Sequence, residues 1–543
     1  MYVFLFLLLF TFTNNLLCQN EELYRITFTD KNNSAYTLRH PEDFLSRKSI
    51  ERRLKKGISL TKEDLPVSSA YIDSLREKNI KIICTSRWFN TSVVVFPSKT
   101  AYFQTKKCSY VKSIEIVKDS FSFSYFKSGK YEKKYFVAGN FQNFDVDNPV
   151  YMPLKLHNGT FLHNKGYKGQ GVLIAIIDAG FKDITSFTTL NYLLTSNRIV
   201  AQKNFVNDNE ANFYSSTHGT IVLAIMAGYI KNSYIGCAPE SEYLLLRSED
   251  INAEYPAEED FWVAAAEFAD SMGADIINTS LGYSTFDNKE FDYSYKDMDG
   301  NTTLISKGVN KAVEKGMIVI VSAGNFGNTH WHYISAPADA ENAITVGAID
   351  TSGNIADFSS RGPTYDGRVK PELVSIGKNL ITEKSAGIFG SVNGTSFSTP
   401  IITGLTACLL LAFPDADCSA IKNALILSSN NYMSPDSTIG YGIPDFEKAF
   451  NILNNIHLQE NFSYLYPNPF RDKLFLNILK DTEGMITISC YDVFGRNIFT
   501  LSQEKTFQID LSNHVKQLTN GIFIFKISDN TKTNTFICIK TKK

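Results

Sequence analysis

The chain has 543 residues, more than a single hydrophobic core usually accommodates, so two or more domains are expected. Its 54 Lys and Arg residues nearly balance its 56 Asp and Glu residues, which excludes the strong electrostatic field by which a protein attracts nucleic acid or an anionic membrane. The partner must therefore be inferred from the chemistry of a site.

The N-terminal stretch "MYVFLFLLLFTFTNNLLCQNEEL" is an apolar block followed by polar and then acidic residues. The block is too short to span a bilayer comfortably, and this layout is typical of a signal peptide. We therefore predict a signal peptide over residues 1–19 and export of the chain. The alternative is an uncleaved anchor helix, since no Lys or Arg precedes Phe4.

The eight cysteines are scattered along the chain and form no Cys-x-x-Cys pair. Cys18 lies in the predicted signal peptide, so an odd number remains in the processed chain. This pattern indicates neither a disulfide framework nor a zinc site, and no metal ligands are predicted.

Residues 20–125 contain strand-like segments and one segment with helical spacing. The strand-like segments are "LYRITFTD" and "TSVVVFP", and the helical one is "SSAYIDSLREKN". This mixture predicts a small α+β domain. In residues 126–154, aromatic residues without periodicity stand among Lys, Gly and Asn, which is typical of a linker or processing region.

From Gly166 onward, strands and helices alternate. The strands are near-continuous apolar runs, as expected for a parallel sheet buried on both faces: "GVLIAIIDAG", "SEYLLLRS", "ADIINTSLG", "GMIVIVSAGN" and "NAITVGAID". An α/β domain with a doubly wound, mainly parallel sheet is therefore predicted for residues 155–457, with its ligand site at the carboxyl ends of the strands. Residues 458–543 have short alternating strands separated by turn residues, which predicts a C-terminal β-sandwich.

Three polar residues of the α/β domain stand where strands end or helices begin. Asp178 ends a predicted strand, and His218 and Ser396 begin predicted helices. A serine hydroxyl needs a neighbouring base to act as a nucleophile, and a histidine base needs a carboxylate that fixes its tautomer. Asn325 ends another strand, where its amide can donate a hydrogen bond to an oxyanion together with the Ser396 backbone N–H. Together these residues predict acyl transfer.

Each of these residues has an ordinary structural interpretation when it is taken singly. A serine at a helix start is usually an N-cap, an aspartate after a strand is usually a loop or capping residue, and a lone histidine is often structural. The functional prediction therefore depends on their combination and order.

Seven stretches together resemble the ordered motifs of the subtilisin-like serine proteases, the subtilases: "IAIIDAGF", "THGTIVLAIMAG", "NTSLG", "SAGN", "FSSRGPT", "KPELVSIG" and "NGTSFSTPIITG". The chain order Asp, His, Ser is the order known for subtilisin. The resemblance implies that Asp178 orients His218, that His218 is the general base and acid, that Ser396 is the nucleophile, and that Asn325 lies in the oxyanion hole. It also implies an acyl-enzyme intermediate.

The resemblance further implies that Ser280, Leu281 and Gly282 pair with an extended peptide substrate. Ala323 and Gly324, with the region from Ser335 to Ala338, are expected beside the side-chain pocket. Peptides and proteins are the expected substrates.

The sequence departs from the family in three places. Ala179 follows the aspartate where Thr or Ser is frequent, and Phe397 follows the serine where Met is frequent, so altered packing behind the triad is expected. His330 and His332 lie in an unusual aromatic stretch, where a loop surface or pocket rim is favoured over a metal site. No cofactor is expected for the chemistry. Structural calcium is frequent in the family, but acidic loop residues such as Asp297 and Asp299 lack a complete calcium pattern.

The flanking regions resemble modules of subtilases from Bacteroidetes. Residues 20–125 resemble their inhibitory propeptides, and the tail resembles the C-terminal sorting domain of type IX secretion. The chain is thus predicted to be a secreted or cell-surface serine endopeptidase made as a zymogen, with its own propeptide and the type IX machinery as partners. The alternatives are a catalytically silent surface-binding relative and an esterase of the α/β-hydrolase type, for which "GTSFS" lacks the GxSxG pattern.

Overall fold

The structure is a computed structural model that describes residues 21–119, 152–206, 213–460, 463–466, 470–478, 484–506, 508–529 and 533–541. The predicted signal peptide and nearly all of the predicted processing region lie outside these residues. By its internal contacts the chain divides into two units, Met1–Ala449 and Phe450–Lys543.

The N-terminal domain, residues 21–119, is an antiparallel sheet of four strands in the order β2-β3-β1-β4, with three helices. Ile26, Leu75 and Val94 are fully buried in its core. The small α+β domain expected from the sequence is therefore present. Its elements are β1 (Leu23–Phe28), α1 (Arg47–Lys55), α2 (Ser69–Glu77), β2 (Lys81–Ser86), β3 (Thr91–Val95), α3 (Lys99–Lys106) and β4 (Val111–Lys118).

The α/β domain is built on a parallel sheet of seven strands in the order β13-β12-β11-β10-β5-β9-β6. Its elements up to the fourth sheet strand are α4 (Met152–Leu156), α5 (Gly159–Asn164), β5 (Leu173–Asp178), α6 (Asn191–Thr195), β6 (Ile199–Asn204), α7 (His218–Ala227), β7 (Tyr229–Ile230), β8 (Tyr234–Ile235), β9 (Glu242–Arg247), α8 (Ala257–Met272) and β10 (Ile276–Thr279). They continue with α9 (Leu304–Glu314), β11 (Ile318–Ser322), β12 (Ile344–Ile349), β13 (Leu373–Ile376), β14 (Leu380–Ser385), β15 (Ile388–Val392), α10 (Thr395–Ala412), α11 (Cys418–Ser428) and α12 (Phe446–Glu460).

Strand β5 shows why these strands are apolar throughout. All six of its residues are buried, and side chains alternate between the two faces of a sheet. Leu173, Ala175 and Ile177 belong to the core that contains α8 and α9, so the intervening Ile174 and Ile176 are buried on the other face. The doubly wound sheet predicted from the sequence is therefore confirmed.

Helix α10 is the central helix of this domain. It packs against β10, β11, β12 and β13 and against α7. By length and composition it is apolar enough to cross a membrane, but 89% of that stretch is buried inside the structure. Its apolar sequence thus reflects its position in the core, which holds the residues at its N-terminus in place.

The C-terminal unit contains one sheet in the order β16-β17-β20 and another in the order β19-β18-β21-β22. Leu474, Leu476, Ile488 and Phe525 are fully buried in its hydrophobic core. This arrangement is the predicted β-sandwich. Its elements are β16 (Ser463–Tyr466), β17 (Phe475–Ile478), β18 (Met485–Asp492), β19 (Asn497–Glu504), β20 (Gln508–Asp510), α13 (Ser512–Val515), β21 (Gly521–Ser528) and β22 (Thr533–Lys540).

Candidate active site

The predicted site residues follow three neighbouring strands. Asp178 is the last residue of β5, Ser280–Gly282 follow β10, and Ala323–Asn325 follow β11. Strands β5, β10 and β11 are adjacent and parallel, so their carboxyl ends meet at one edge of the sheet. The structure thus brings these residues together, as the rule for open α/β sheets requires.

Asp178 and His218 form a buried hydrogen-bonded pair. The Nδ1 atom of His218 lies 2.7 Å from Asp178 Oδ1, and the two side chains are 4% and 1% exposed. Asp178 Oδ1 also accepts a hydrogen bond from the Ala179 N–H at 2.7 Å. With Nδ1 bonded to the carboxylate, the Nε2 atom is the ring position directed to other chemistry.

Helix α7 begins with His218 and must approach the end of β5 closely for this pair to form. The N–H of Gly219 donates to the carbonyl oxygen of Gly180 at 3.1 Å. A Cβ atom at position 219 would lie 2.6 Å from that oxygen, so only glycine fits there. The close approach holds the imidazole against Asp178.

Ser396 is the second residue of α10 and is 4% exposed. Its Oγ donates to the Ser280 carbonyl oxygen at 3.2 Å, and the Ser280 Oγ donates to the Ser396 carbonyl oxygen at 3.0 Å. Gly394, which precedes the helix, has a φ of 151° that other residues rarely adopt. These contacts fix the serine beside the segment that follows β10.

Thr395 fixes the orientation of the Asn325 carboxamide. The Asn325 Oδ1 atom accepts hydrogen bonds from the Thr395 N–H at 2.9 Å and from its Oγ at 3.1 Å. The same Oγ accepts from the Gly324 N–H at 3.2 Å. The amide oxygen is thus held at the start of α10, and the amide nitrogen is the end of the group that carries N–H donors.

Phe397, which stands where Met is frequent in the family, packs beside His218. Its ring is 1% exposed and packs on the ring of His218, with the centroids 5.3 Å apart. This contact places the start of α10 beside His218. The structure does not bring His330 and His332 into the site as a metal pair, since the Nδ1 atom of His332 bonds to the Gly327 carbonyl at 2.9 Å and His330 is exposed.

The segments that follow β10 and β11 continue two paired strands. Leu281 and Ala323 are buried, whereas Gly282 and Gly324 are partly exposed. A third segment lies beside them, because Tyr283 and Ala336 exchange two backbone hydrogen bonds of 2.7 and 3.0 Å. This arrangement brings Ser335 next to the two glycines.

The face of α8 that contacts the N-terminal domain was not predicted from the sequence. We call Asp260, Glu267 and Asp270 on this helix the docking face. The guanidinium of Arg25 bonds to both oxygens of Asp260 at 2.7 and 2.6 Å. Glu267 accepts hydrogen bonds from the backbone N–H groups of Arg87 and Trp88 at 2.8 and 2.9 Å and from Ser86 Oγ at 2.6 Å.

Asp270 has more ion-pair partners than the other residues of the docking face. It is fully buried and pairs with three buried guanidinium groups, those of Arg52, Arg53 and Arg87. Arg53 also lies 3.1 Å from Asp64, which lies 3.1 Å from Lys315 of the α/β domain. Buried ion pairs therefore accompany the apolar packing of Leu23, Trp88 and Val117 in this contact.

Three carboxylates of the α/β domain lie close together. Oxygens of Glu249, Glu254 and Glu258 lie within 4.8 Å of one another. Glu249 accepts from the Tyr283 hydroxyl, and Glu258 accepts from the Asp250 N–H at 2.6 Å. Since Glu249 and Glu258 already accept hydrogen bonds from the protein, we assign no metal there.

Comparisons with known proteins agree with this geometry. A model of the subtilase family matches residues 169–442, one of the peptidase S8 propeptide domain of Bacteroidota matches residues 23–134, and one of the secretion system C-terminal sorting domain matches residues 464–540. Subtilisin DY of Bacillus licheniformis is 28% identical over 287 residues, which are 52% of this chain and 93% of that protein.

A second subtilisin and one solved structure are also similar to part of this chain. Subtilisin E of Bacillus subtilis (strain 168) is 28% identical over 291 residues, 53% of this chain and 68% of that protein. The crystal structure of MycP1 from Mycobacterium smegmatis aligns with a TM-score of 0.44 at 22% identity and covers 57% of this chain and 86% of that one. The residues matched by the subtilase family model, 169–442, lie in the α/β domain.

Proposed function

Because this chain belongs to the subtilase family, and is a secreted serine protease made with a propeptide, we propose that Asp178, His218 and Ser396 are its catalytic triad. The observation that carries the proposal is the buried hydrogen bond of 2.7 Å between Asp178 Oδ1 and His218 Nδ1. It holds the imidazole in the tautomer whose Nε2 can accept a proton, which a serine nucleophile requires.

In the proposed mechanism, Ser396 Oγ forms a bond to the carbonyl carbon of the substrate while its proton passes to His218 Nε2. The C–N bond then breaks, and the leaving amine takes that proton. A water molecule repeats the sequence on the acyl-enzyme: it gives its proton to His218 and its oxygen to the carbonyl carbon. Ser396 recovers its proton when the carboxylic acid leaves. The carboxylate of Asp178 stabilises the imidazolium in each half of the reaction.

Asn325 and the backbone N–H of Ser396 are the proposed donors to the oxyanion. Their support is the contact between Asn325 Oδ1 and Thr395, which precedes the nucleophile and fixes the amide relative to it. A donor that is held in place before the reaction needs no reorganisation as charge develops, and this is the source of its effect on the rate.

The proposed substrate-binding residues are Ser280, Leu281 and Gly282, with Ala323 and Gly324 opposite. Ser280 shares two hydrogen bonds with Ser396, so a peptide paired along this segment would have its carbonyl group next to the nucleophile. Main-chain pairing of this kind binds an extended peptide independently of its side chains. Peptides and proteins are the substrates.

The proposed domains are a signal peptide over residues 1–19, an inhibitory propeptide over 20–125, a processing region over 126–154, the catalytic domain over 155–457 and the sorting domain over 458–543. Inhibition is supported by the place where the propeptide chain leaves β4. Asp119 accepts a hydrogen bond from the Asn288 side chain at 2.5 Å, and the Lys118 Nζ lies 4.1 Å from the centre of the Tyr255 ring. Tyr255 and Asn288 belong to the loops that follow β9 and β10, on the edge that carries the site.

The sorting domain directs the protein out of the cell or to its surface. We propose that the type IX secretion machinery is the partner that recognises it. Deletion of residues 463–543 should leave the protein in the periplasm, as measured by fractionation and immunoblotting. Unchanged secretion of the shortened chain would contradict this assignment.

The proposed chemistry uses only side chains and backbone groups of the chain and needs no cofactor. Asp297 and Asp299, two acidic loop residues considered for structural calcium, accept hydrogen bonds from the chain itself. Asp297 accepts from the backbone and hydroxyl of Ser294 at 2.7 and 2.8 Å, and Asp299 accepts from the N–H groups of Asn301 and Thr302 at 2.8 and 2.7 Å. We derive no step through calcium.

A fluorophosphonate probe tests the proposed nucleophile, because it reacts with an activated serine. The purified protein should be labelled, and Ser396→Ala should abolish both labelling and peptide hydrolysis. Ser398→Ala is the matched control, since Ser398 Oγ donates to the Thr395 carbonyl within the helix, so its variant should still be labelled. Labelling that persists in Ser396→Ala would refute the assignment.

A further inference from the structure

Arg247 is a buried arginine at the edge of the sheet that carries the proposed site, and the proposed mechanism does not use it. It is the last residue of β9 and is 2% exposed. Burial of a charge is costly unless hydrogen bonds and opposite charges compensate it. The contacts of this guanidinium therefore indicate what it does.

The guanidinium joins the carboxyl ends of β5 and β6. Its Nε donates to the Ala179 carbonyl oxygen at 3.2 Å, and its Nη1 donates to Asn204 Oδ1 at 3.1 Å. Ala179 directly follows Asp178, the last residue of β5, and Asn204 is the last residue of β6. Arg247 thus connects the residue behind the proposed catalytic carboxylate to another strand of the sheet.

Arg247 and Asp178 lie side by side in the sheet. They are register partners in β9 and β5, and so are the preceding residues Leu246 and Ile177. Leu246 and Ile177 both belong to the core that contains α8. Because successive side chains of a strand alternate between faces, Asp178 and Arg247 both leave the sheet on the other face. The two side chains are therefore neighbours at the end of the sheet.

Ala179 is held through both of its backbone groups. Its N–H donates to Asp178 Oδ1 at 2.7 Å. Its carbonyl oxygen accepts from Arg247 Nε and also from Ser215 Oγ, each at 3.2 Å. Ala179 has no hydroxyl of its own to bond to the carboxylate. A residue that is held at both ends keeps the carboxylate directed at His218 Nδ1, which is the geometry that the proposed triad requires.

The charge of Arg247 acts on the same pair. Within the part of the chain that the structure describes, Asp178 Oδ2 has no hydrogen-bond partner, although the side chain is buried. An arginine stays protonated throughout the range in which a histidine titrates, so it supplies a constant positive charge beside this carboxylate. Burial lowers the pKa of Arg247, and three nearby carboxylates oppose that shift, those of Asp250, Glu258 and Glu249.

The described ionisable groups that face Arg247 and the pair are mainly acidic. Loss of the guanidinium would leave these carboxylates uncompensated, and uncompensated negative charge favours the protonated imidazolium. Lys203 on β6 lies over the rings of Phe205 and Phe268, 4.9 and 4.8 Å from their centres, on the face of the α8 core. The groups are Asp178 on β5, the exposed Lys182, His218 on α7, Glu249, Asp250 and Tyr255 after β9, Glu258 on α8 and Tyr283 after β10.

We propose that Arg247 is a positioning residue for Asp178, which it directs at His218 through Ala179, and that its positive charge keeps His218 unprotonated in mild acid. The inference rests on the proposed function, because it assigns Arg247 to the Asp178–His218 pair. A neighbouring positive charge disfavours the imidazolium, so the general base remains available at a lower pH than it would without Arg247. Arg247 thus extends the acid side of the pH range of the protease.

Arg247→Met and Arg247→Lys separate the two effects, because Met removes the charge whereas Lys keeps it without the planar fork. Both variants are measured as processed proteins, through kcat and KM for one peptide between about pH 5 and 9. Arg247→Met should lower kcat about tenfold with KM nearly unchanged, and should move the acid limb of kcat/KM to higher pH by about half a unit. Arg247→Lys should lower kcat about threefold and leave the acid limb in place.

Arg198→Met is the matched control, because Arg198 also donates to backbone carbonyls but directly precedes β6, at the opposite edge of the sheet. Its Nη1 donates to the carbonyl oxygens of Pro239 and Ser241 at 2.6 and 2.9 Å. This variant should leave kcat and the acid limb unchanged. Equal changes in Arg198→Met and Arg247→Met would show that Arg247 is merely structural.

An acid limb of Arg247→Met that coincides with that of the parent, or a parental kcat in Arg247→Lys, would overturn the inference. If circular dichroism shows that Arg247→Met does not fold, the kcat of Arg247→Lys decides alone. Fluorophosphonate labelling separates this failure from that of the proposed function. A labelled parent without these effects refutes only the role of Arg247, whereas an unlabelled parent refutes the triad.

Discussion

The active-site edge and the docking face lie on the same α/β domain, but different forces position their residues. At the active-site edge, Ser396 and Asn325 are held by neutral hydrogen bonds to Ser280 and Thr395, and one hydrogen bond joins the Asp178 carboxylate to His218. On the docking face, Asp260 and Asp270 are held by the guanidinium groups of the N-terminal domain.

The contacts at the active-site edge are permanent, whereas those of the docking face depend on a partner that can be removed. The active-site contacts join elements of the catalytic domain to one another, so they persist when the propeptide leaves. The contacts of the docking face exist only while the propeptide is bound, so Asp270 loses its three arginine partners when the propeptide leaves. Removal of one partner from a buried ion pair is costly, which makes the docking face the more fragile of the two regions to single substitutions in the precursor.

The largest effect expected at the active-site edge follows Asp178→Asn. An amide in place of the carboxylate can donate to His218 Nδ1 and so favours the tautomer whose Nε2 already carries a proton. Steady-state kinetics should show a fall in kcat of about 10⁴-fold with the fold retained. Asp183→Asn, an exposed position five residues further on, is the control and should keep normal activity. A kcat of Asp178→Asn within tenfold of the parent would show that the buried pair is only structural.

On the docking face, Asp270→Asn should destabilise the precursor by about 4 kcal/mol, because three arginines lose their shared buried carboxylate. Urea unfolding of the precursor measures this effect, with Ser396→Ala present throughout to prevent processing. Asp73→Asn breaks an exposed pair with Arg76 and should change the stability by less than about 1 kcal/mol. Equal effects of the two substitutions would refute the contrast between the regions.

The two regions also differ in how far the sequence predicts them. The proposed catalytic and oxyanion residues could be predicted because each stands where a strand ends or a helix begins, and a parallel sheet brings such positions to one edge. They are Asp178, His218, Asn325 and Ser396. Arg52 and Arg53 lie in "ERRLKKG", which is typical of a solvated helix. Their burial depends on Asp270, more than 200 residues away, and no local pattern records such a pairing.

The fold could also be predicted where an element has a clear local pattern, and it was missed where an element has none. The apolar strands of the sheet and the alternating strands of the tail have clear periodicities, whereas helix α1 and the β14–β15 hairpin were not predicted.

The smallest effect concerns Glu259, which adjoins Asp260 on α8 and is fully buried without an arginine bonded to it in the described structure. Burial raises the pKa of Glu259 from 4.5 to about 7, against the opposing hydrogen bonds from Tyr293 and from the Ile305 N–H at 2.9 Å. A carboxyl with a raised pKa in the folded state contributes stability below its unfolded pKa and loses it as the pH rises through the folded value. The precursor should therefore lose about 3 kcal/mol of stability through this group between pH 4.5 and about 7.

Glu259→Gln tests this dependence, since it keeps the shape of the side chain and removes its titration. Urea unfolding of the precursor at pH 5 and pH 8, again with Ser396→Ala present, should show a smaller loss of stability with rising pH in this variant than in its parent. Glu314→Gln removes an exposed carboxylate that pairs with Lys311 on α9, and it should leave the pH dependence of the parent unchanged. If Glu259→Gln and the parent lose the same stability, the buried carboxyl does not titrate in this range.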